Sequence, residues 1–132
     1  VHMSELVGIV LVSHSERLAS GLRDLVAELL GASSPPAVAG GTEDGGIGTS
    51  DTLIRAAIAQ ADSGRGVVLL PDIGSAVLTA RIVLDDDPRP DVVLVDAPFV
   101  EGAVAAAVTA SSGADLDTVV QAAKDARSAV KF

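Results

Sequence analysis

The sequence predicts an α/β fold: a doubly wound, mainly parallel sheet of four to five strands, with helices on both faces. Three observations carry that expectation. Short runs of β-branched and aliphatic residues alternate along the chain with longer stretches of helical periodicity. Only two residues are aromatic although 48% are apolar, so the core must be built of Val, Leu, Ile and Ala. That set suits small helix residues packed on aliphatic strands. At 132 residues the chain is long enough for one hydrophobic core, and a second is not expected.

The elements follow in order. Leu6 to Val12 is apolar and β-branched and reads as a fully buried strand. From Ser15 the period changes, with Leu18, Leu22, Leu25 and Leu29 at helical spacing and Gly31 as the stop. Pro35-Pro36 leads into a brief strand, Ala37 to Ala39. The loop GGTEDGGIGTS, Gly40 to Ser50, comes next, and Thr49 or Ser50 caps a helix whose face is Ile54, Ile58 and Ala61. Gly66 to Leu70 is a third strand, ended by Pro71-Asp72-Ile73-Gly74-Ser75. Val77 to Leu84 reads as helix, and Asp85 to Asp87 as a solvated loop. Asp91 to Val95 is a fourth strand, followed by Asp96-Ala97-Pro98. Two last helices span 100–110 and 116–130.

Charge and composition narrow the function classes. Eighteen acidic against nine basic residues leave a net charge of −9, which repels nucleic acid and anionic membrane surfaces. The absence of cysteine excludes disulfides, thiolate metal sites and thiol nucleophiles. No apolar run is long enough to span a bilayer. Residues 1–5 read as an expression remnant and start, and 6–132 as one domain, with the cytoplasm as its setting.

In doubly wound sheets, sites lie beyond the carboxyl ends of the strands. That rule gathers His14, the glycine-rich loop, Asp72 with Gly74 and Ser75, and Asp96 on one rim. Either Ser13 caps the first helix through a capping box with Glu16, or Ser15 is the cap and His14 ends the strand. Both place the imidazole near a helix N-terminus, which welcomes an anion. A neutral imidazole is a nucleophile. Asp72 is a candidate to hold one ring nitrogen and leave the other free, and Gly74 and Ser75 open a helix able to hold phosphoryl oxygens. The glycine-rich loop, at Gly41, Thr42 and Thr49, offers further donors. Each element also has a plain structural alternative: a strand-end histidine, a turn aspartate, a flexible loop. The loop fits neither GxGxxG nor GxxxxGK[ST].

Four stretches carry a resemblance: VSHSERLASGL, AGGTEDGGIGTS from Ala39, DIGSA from Asp72, and APFVEGAVAAAVTASSGADL from Ala97. In this order they resemble the phosphotransferase (DhaM) subunits of phosphoenolpyruvate-dependent dihydroxyacetone kinases, within the mannose-type EIIA group of the sugar phosphotransferase system. The resemblance implies that His14 accepts a phosphoryl group from the phosphocarrier HPr. It passes the group to ADP on the nucleotide-binding subunit DhaL, and a third subunit, DhaK, holds dihydroxyacetone. By the same resemblance Asp72 orients His14, Ser75 contacts phosphate, and the protein is a homodimer. It needs no metal and no bound cofactor, only a covalent phosphohistidine. Pro71 departs from the family pattern and leaves the end of the third strand open. Some relatives also carry fused phosphocarrier and enzyme I-like domains. The rivals are a mannose-type sugar IIA domain that donates to a IIB protein, and a non-catalytic regulatory or scaffold domain. A receiver module would need clustered acids after the first strand, and a Ser-His-Asp hydrolase would need a Gly-x-Ser-x-Gly turn.

Overall fold

The structure is a computed structural model that describes residues 5–30 and 35–132. The reading of Val1 to Met3 as a remnant and the helix stop at Gly31 lie outside those residues. Four strands form one parallel sheet: β1 (Gly8–Ser13), β2 (Ala37–Gly40), β3 (Val67–Pro71) and β4 (Val92–Leu94), in the order β2-β1-β3-β4. Five helices alternate with them: α1 (Glu16–Leu30), α2 (Asp51–Ala61), α3 (Gly74–Asp86), α4 (Phe99–Ser111) and α5 (Leu116–Asp125). Among the described residues no helix is long and apolar enough to cross a membrane.

The sheet is buried on both sides because its strands, Ser13 apart, carry no polar side chain. Side chains alternate between faces along a strand, so each strand feeds two cores. Ile9 and Leu11 of β1, with Val68 and Leu70 of β3, pack under α1, α4 and α5. Val10 and Val12, with Val67 and Leu69, pack under α2 and α3. Leu11, Leu69 and Leu70 are wholly shut off from solvent. The doubly wound expectation holds, with four strands and every pair parallel.

The strand order decides where a site can lie. From β1 the chain moves outward to β2 through α1, then returns across the sheet to β3 and continues to β4. Hence α1 leaves β1 toward one face and α3 leaves β3 toward the other. The two exits diverge between adjacent strands and open a crevice at the carboxyl edge. Val12 stands opposite Pro71 in the ladder, so the next residues along, Ser13 and Asp72, reach that edge together.

Several boundaries differ from expectation. The leucine spacing of α1 marks a helix but not its buried stripe: Ala19, Leu22 and Val26 face the core, whereas Leu18, Leu25 and Leu29 are exposed. Small Ala19 is what lets β2 approach. A Cβ built on Gly40 would stand 2.6 Å from the Glu16 Cα and 3.1 Å from the Ala19 Cβ, so only glycine fits there. Helix α3 runs from Gly74 and takes in Asp85 and Asp86, because nothing before Asp87 interrupts its backbone bonding. Helix α5 is shorter than 116–130. It passes into a 3-10 turn at Ala126–Ser128, and residues 129–132 are exposed and lie outside any helix or strand.

Pro71 belongs to β3 after all. Odd-numbered residues of β3 bond to β4, as in Val67 N to Asp91 O and Val95 N to Leu69 O, while Asp72 N bonds across to Val12 O. The donor that proline lacks would face β4, where pairing has already ended at Leu94. The β1 side of the ladder is intact up to Asp72.

Candidate active site

The first turn of α1 starts at Glu16, and Ser15 is its cap: Leu18 N donates to Ser15 Oγ at 3.2 Å and Ala19 N to Ser15 O at 3.1 Å. His14 is therefore the hinge between strand and helix. The capping box on Ser13 does not form, since Glu16 bonds to Ser20 instead. Ser13 turns inward, completely buried, and does something else.

Its hydroxyl donates to Asp72 Oδ2 at 2.9 Å and accepts from Ser15 N at 3.0 Å. The same carboxylate oxygen accepts the His14 amide at 3.0 Å. Asp72 Oδ1 faces the His14 Nδ1 at 2.9 Å and accepts the Ile73 amide at 2.7 Å. Four donors thus converge on one carboxylate, which is acceptor-only when ionised. Burial alone would raise the Asp72 pKa. The His14 amide and ring, the Ser13 hydroxyl and the Ile73 amide outweigh it and hold the carboxyl below its ordinary value. An ionised Asp72 fixes the ring: Nδ1 must carry the proton and donate it, so the lone pair lies on Nε2.

Nε2 points at the start of α3, where the Ser75 hydroxyl bonds to it. Asp72 is nearly buried at 8% side-chain exposure, while the ring keeps 17% and the Ser75 side is open. The ring is therefore reachable from solvent, whereas the carboxylate behind it is nearly closed off. Helix α3 has Ile73 at its cap position with no side-chain cap, unlike α2 with Ser50 and α5 with Asp115. Of the amides in its first turn, that of Ala76 bonds to the Ile73 carbonyl at 3.0 Å, and those of Gly74 and Ser75 lie at the uncapped start.

The glycine-rich loop reaches the same rim with its donors committed elsewhere. Gly41 N, in a left-handed conformation at φ 73, donates to Ser13 O at 2.9 Å. Gly48 N donates to His14 O at 2.9 Å. Thr42 donates to Asp44 at 2.5 Å, and Thr49 bonds to Thr79 on α3 at 2.6 Å. Of the loop residues named as phosphate donors, Gly41, Thr42 and Thr49, the first grips the backbone beside His14 and the others bond within the loop or to α3. Asp96 points to solvent and pairs with Arg127 at 3.5 Å.

Sequence reasoning missed three members of this arrangement: Ser13 as a ligand of Asp72, Gly48 as a clasp on His14, and Thr79. Ser13 carried one usable signal. A serine in the last strand position of an otherwise apolar buried run must find a partner.

Known proteins resemble this chain over most of its length. A family model described as the PTS system fructose IIA component (EIIA-man) matches residues 8–120. The chain is 34% identical to phosphoryl donor subunit DhaM of PEP-dependent dihydroxyacetone kinase 2 from Listeria innocua, over 88% of this chain and 95% of that protein. It is 38% identical to the DhaM subunit of Escherichia coli over 87% of this chain, but spans only 26% of that longer protein. It is 33% identical to phosphotransferase subunit DhaM from Lactococcus lactis, over 85% of this chain and 89% of that one. The crystal structure of a protein of unknown function superposes with a TM-score of 0.78 at 37% identity, over 91% of this chain and 94% of that one.

Proposed function

Because the chain belongs to the mannose-type IIA family, among the DhaM-type phosphoryl donor subunits of dihydroxyacetone kinases, we propose that it relays a phosphoryl group through His14. The donor is the phosphocarrier HPr, and the acceptor is ADP on the nucleotide-binding subunit DhaL of a kinase whose third subunit is DhaK. One observation carries the reading. Asp72 binds Nδ1 and leaves Nε2 as the only nitrogen able to attack, aimed at an uncapped helix start.

The chemistry balances without an outside proton. The Nε2 lone pair attacks the donor's phosphorus, a new P–N bond forms, and the donor's own P–N bond breaks with its electron pair returning to the donor. Positive charge grows on the His14 ring as it attacks, and the adjacent Asp72 carboxylate offsets it. The Ser75 hydroxyl turns from Nε2 to a phosphoryl oxygen, and the Gly74 and Ser75 amides take up the remaining charge. In the second half a terminal oxygen of ADP attacks the same phosphorus, the P–Nε2 bond breaks, and the ring recovers its lone pair. Water must be kept from the intermediate long enough for the second partner to arrive. The ring's limited exposure serves that end.

The decisive experiment supplies phosphoenolpyruvate, enzyme I and HPr to the protein and follows its mass. An acid-labile, alkali-stable adduct confined to His14 is expected, discharged by ADP-loaded kinase subunit. Discharge to a sugar-specific IIB protein instead would reassign the acceptor. A His14→Ala protein that still relays phosphate would overturn the assignment.

A further inference from the structure

The sheet explains why His14 meets Asp72, but it does not explain what holds Ser75. Ser75 is an exposed residue in the first turn of α3, a helix that starts without a side-chain cap. The ring and the Ser75 hydroxyl must nevertheless share one phosphoryl group. Some contact has to fix the distance between them.

That contact is a pair of threonines. Thr49 Oγ1 and Thr79 Oγ1 stand 2.6 Å apart and are partly buried, across thirty residues of chain. Thr79 Oγ1 also donates to the Ser75 carbonyl at 3.2 Å. A hydroxyl has a single proton, so the direction is settled: Thr79 gives its proton to Ser75, and Thr49 gives its own to Thr79. Thr49 directly follows Gly48, whose amide donates to the His14 carbonyl at 2.9 Å. A few residues earlier, Gly41 holds the Ser13 carbonyl, also at 2.9 Å. The glycine-rich loop thus holds the Ser13 carbonyl through Gly41 near its start, and near its end it holds the His14 carbonyl through Gly48 and Thr79 of α3 through Thr49.

We infer that the Thr49–Thr79 hydroxyl pair is a positioning brace, which sets the placement of Ser75 against His14 Nε2 and so governs how fast phosphate is taken up. This rests on the relay through His14. Neither threonine touches the phosphoryl group. Each acts through the backbone of a residue that does. The loop's glycines are then explained without phosphate: they let the backbone fold back onto the Ser13 and His14 carbonyls.

The test compares Thr49→Val, Thr79→Val, the double variant and Thr79→Ser. Valine keeps the outline of threonine and removes the hydroxyl. In single-turnover phosphorylation by HPr, each valine variant should be slowed by about fivefold or more at saturating donor, with KM unchanged. Thr79→Ser should recover most of the rate. The double variant should be no slower than either single one, because both break the same link. A magnetic resonance readout needs no phosphate: Thr49→Val, on the loop, should shift the Ser75 amide and the His14 ring signals. Wild-type rates in Thr79→Val, losses that multiply in the double variant, or unmoved Ser75 and His14 signals would each overturn the brace. A wild-type protein that never acquires phosphate would sink the relay instead, and the resonance shifts would still decide the brace.

Discussion

The Nδ1 of His14 and the Oδ1 of Asp72 lie 2.9 Å apart although 58 residues separate them. The pairing of Val12 with Pro71 places the two strand ends side by side, and the chain leaves each end toward a different face of the sheet. The bond is a product of register. A one-residue slip of β3 would turn Asp72 away and leave the ring's tautomer unassigned.

Replacing Asp72 with asparagine removes the charge that answers the growing imidazolium. It also sets an amide NH2 among four donors that need an acceptor. Phosphoryl uptake should slow by roughly ten- to hundredfold with the fold retained. Rapid-quench phosphorylation against circular dichroism measures both, and unchanged rates would reduce Asp72 to a turn residue.

Acid should weaken the fold through the same group. The Asp72 carboxyl titrates below its ordinary value of 3.8 in the native state. A depressed native pKa adds stability that is complete above the unfolded value and is lost as pH falls through the native one. Urea midpoints should therefore drop as the pH is lowered past about 4. In Asp72→Asn that acid-side decline should be shallower, and a parallel decline would assign it to other carboxylates.

Ser13→Ala tests the buried hydroxyl. It withdraws one donor from Asp72 and the acceptor for the Ser15 amide at once. A loss of about 1–3 kcal/mol in unfolding free energy is expected, as for other buried polar groups left without a partner. Transfer should slow as well, because the carboxylate is less firmly held. Equilibrium denaturation and single-turnover rates report the two effects separately.

Ser75→Ala removes the hydroxyl at Nε2 and leaves the α3 amides in place. Uptake should fall by about tenfold and no further, since one donor among several is lost. The resting ring should become more reactive toward small phosphoryl donors, because Nε2 no longer accepts the serine hydroxyl. Rates with acetyl phosphate or phosphoramidate check this second effect.

Gly8→Ala probes the far end of β1 and serves as a control. A Cβ there would stand 2.3 Å from the Ala61 carbonyl oxygen, a backbone atom that cannot move aside cheaply. The melting temperature should drop, by an amount equivalent to about 1–3 kcal/mol. Transfer per folded molecule should be unaffected, because the clash is at the opposite edge from His14.

Much of this molecule is legible in its residues, and the reasons are local. Apolar runs such as Val67 to Leu70 declare buried strands, and His14 between a strand and a helix period declares a rim position. Where a position had a two-way choice, the sequence was silent. Ser13 and Ser15 were equal candidates for the α1 cap, and the tie was broken only by Asp72 arriving from β3 to claim the Ser13 hydroxyl. The leucines of α1 showed the right period, but only Leu22 of the four lies on the buried face, because the depth of burial depends on what packs there. Here Gly40 admits only Ala19. The threonines at 49 and 79 carried no pattern linking them.

By itself the sequence determined a doubly wound α/β sheet, its strands and most of its helices, and a histidine at the edge where such sheets bind ligands. Periodicity and strand polarity are local properties, and they survive in any list of residues. Only the tertiary structure decided which groups face one another: the four donors on Asp72, the free lone pair on Nε2, and the loop that bonds to both His14 and Thr79 of α3. Those relations depend on strand order and ladder register, which are set by the cores on both faces of the sheet acting together and are written at no single position.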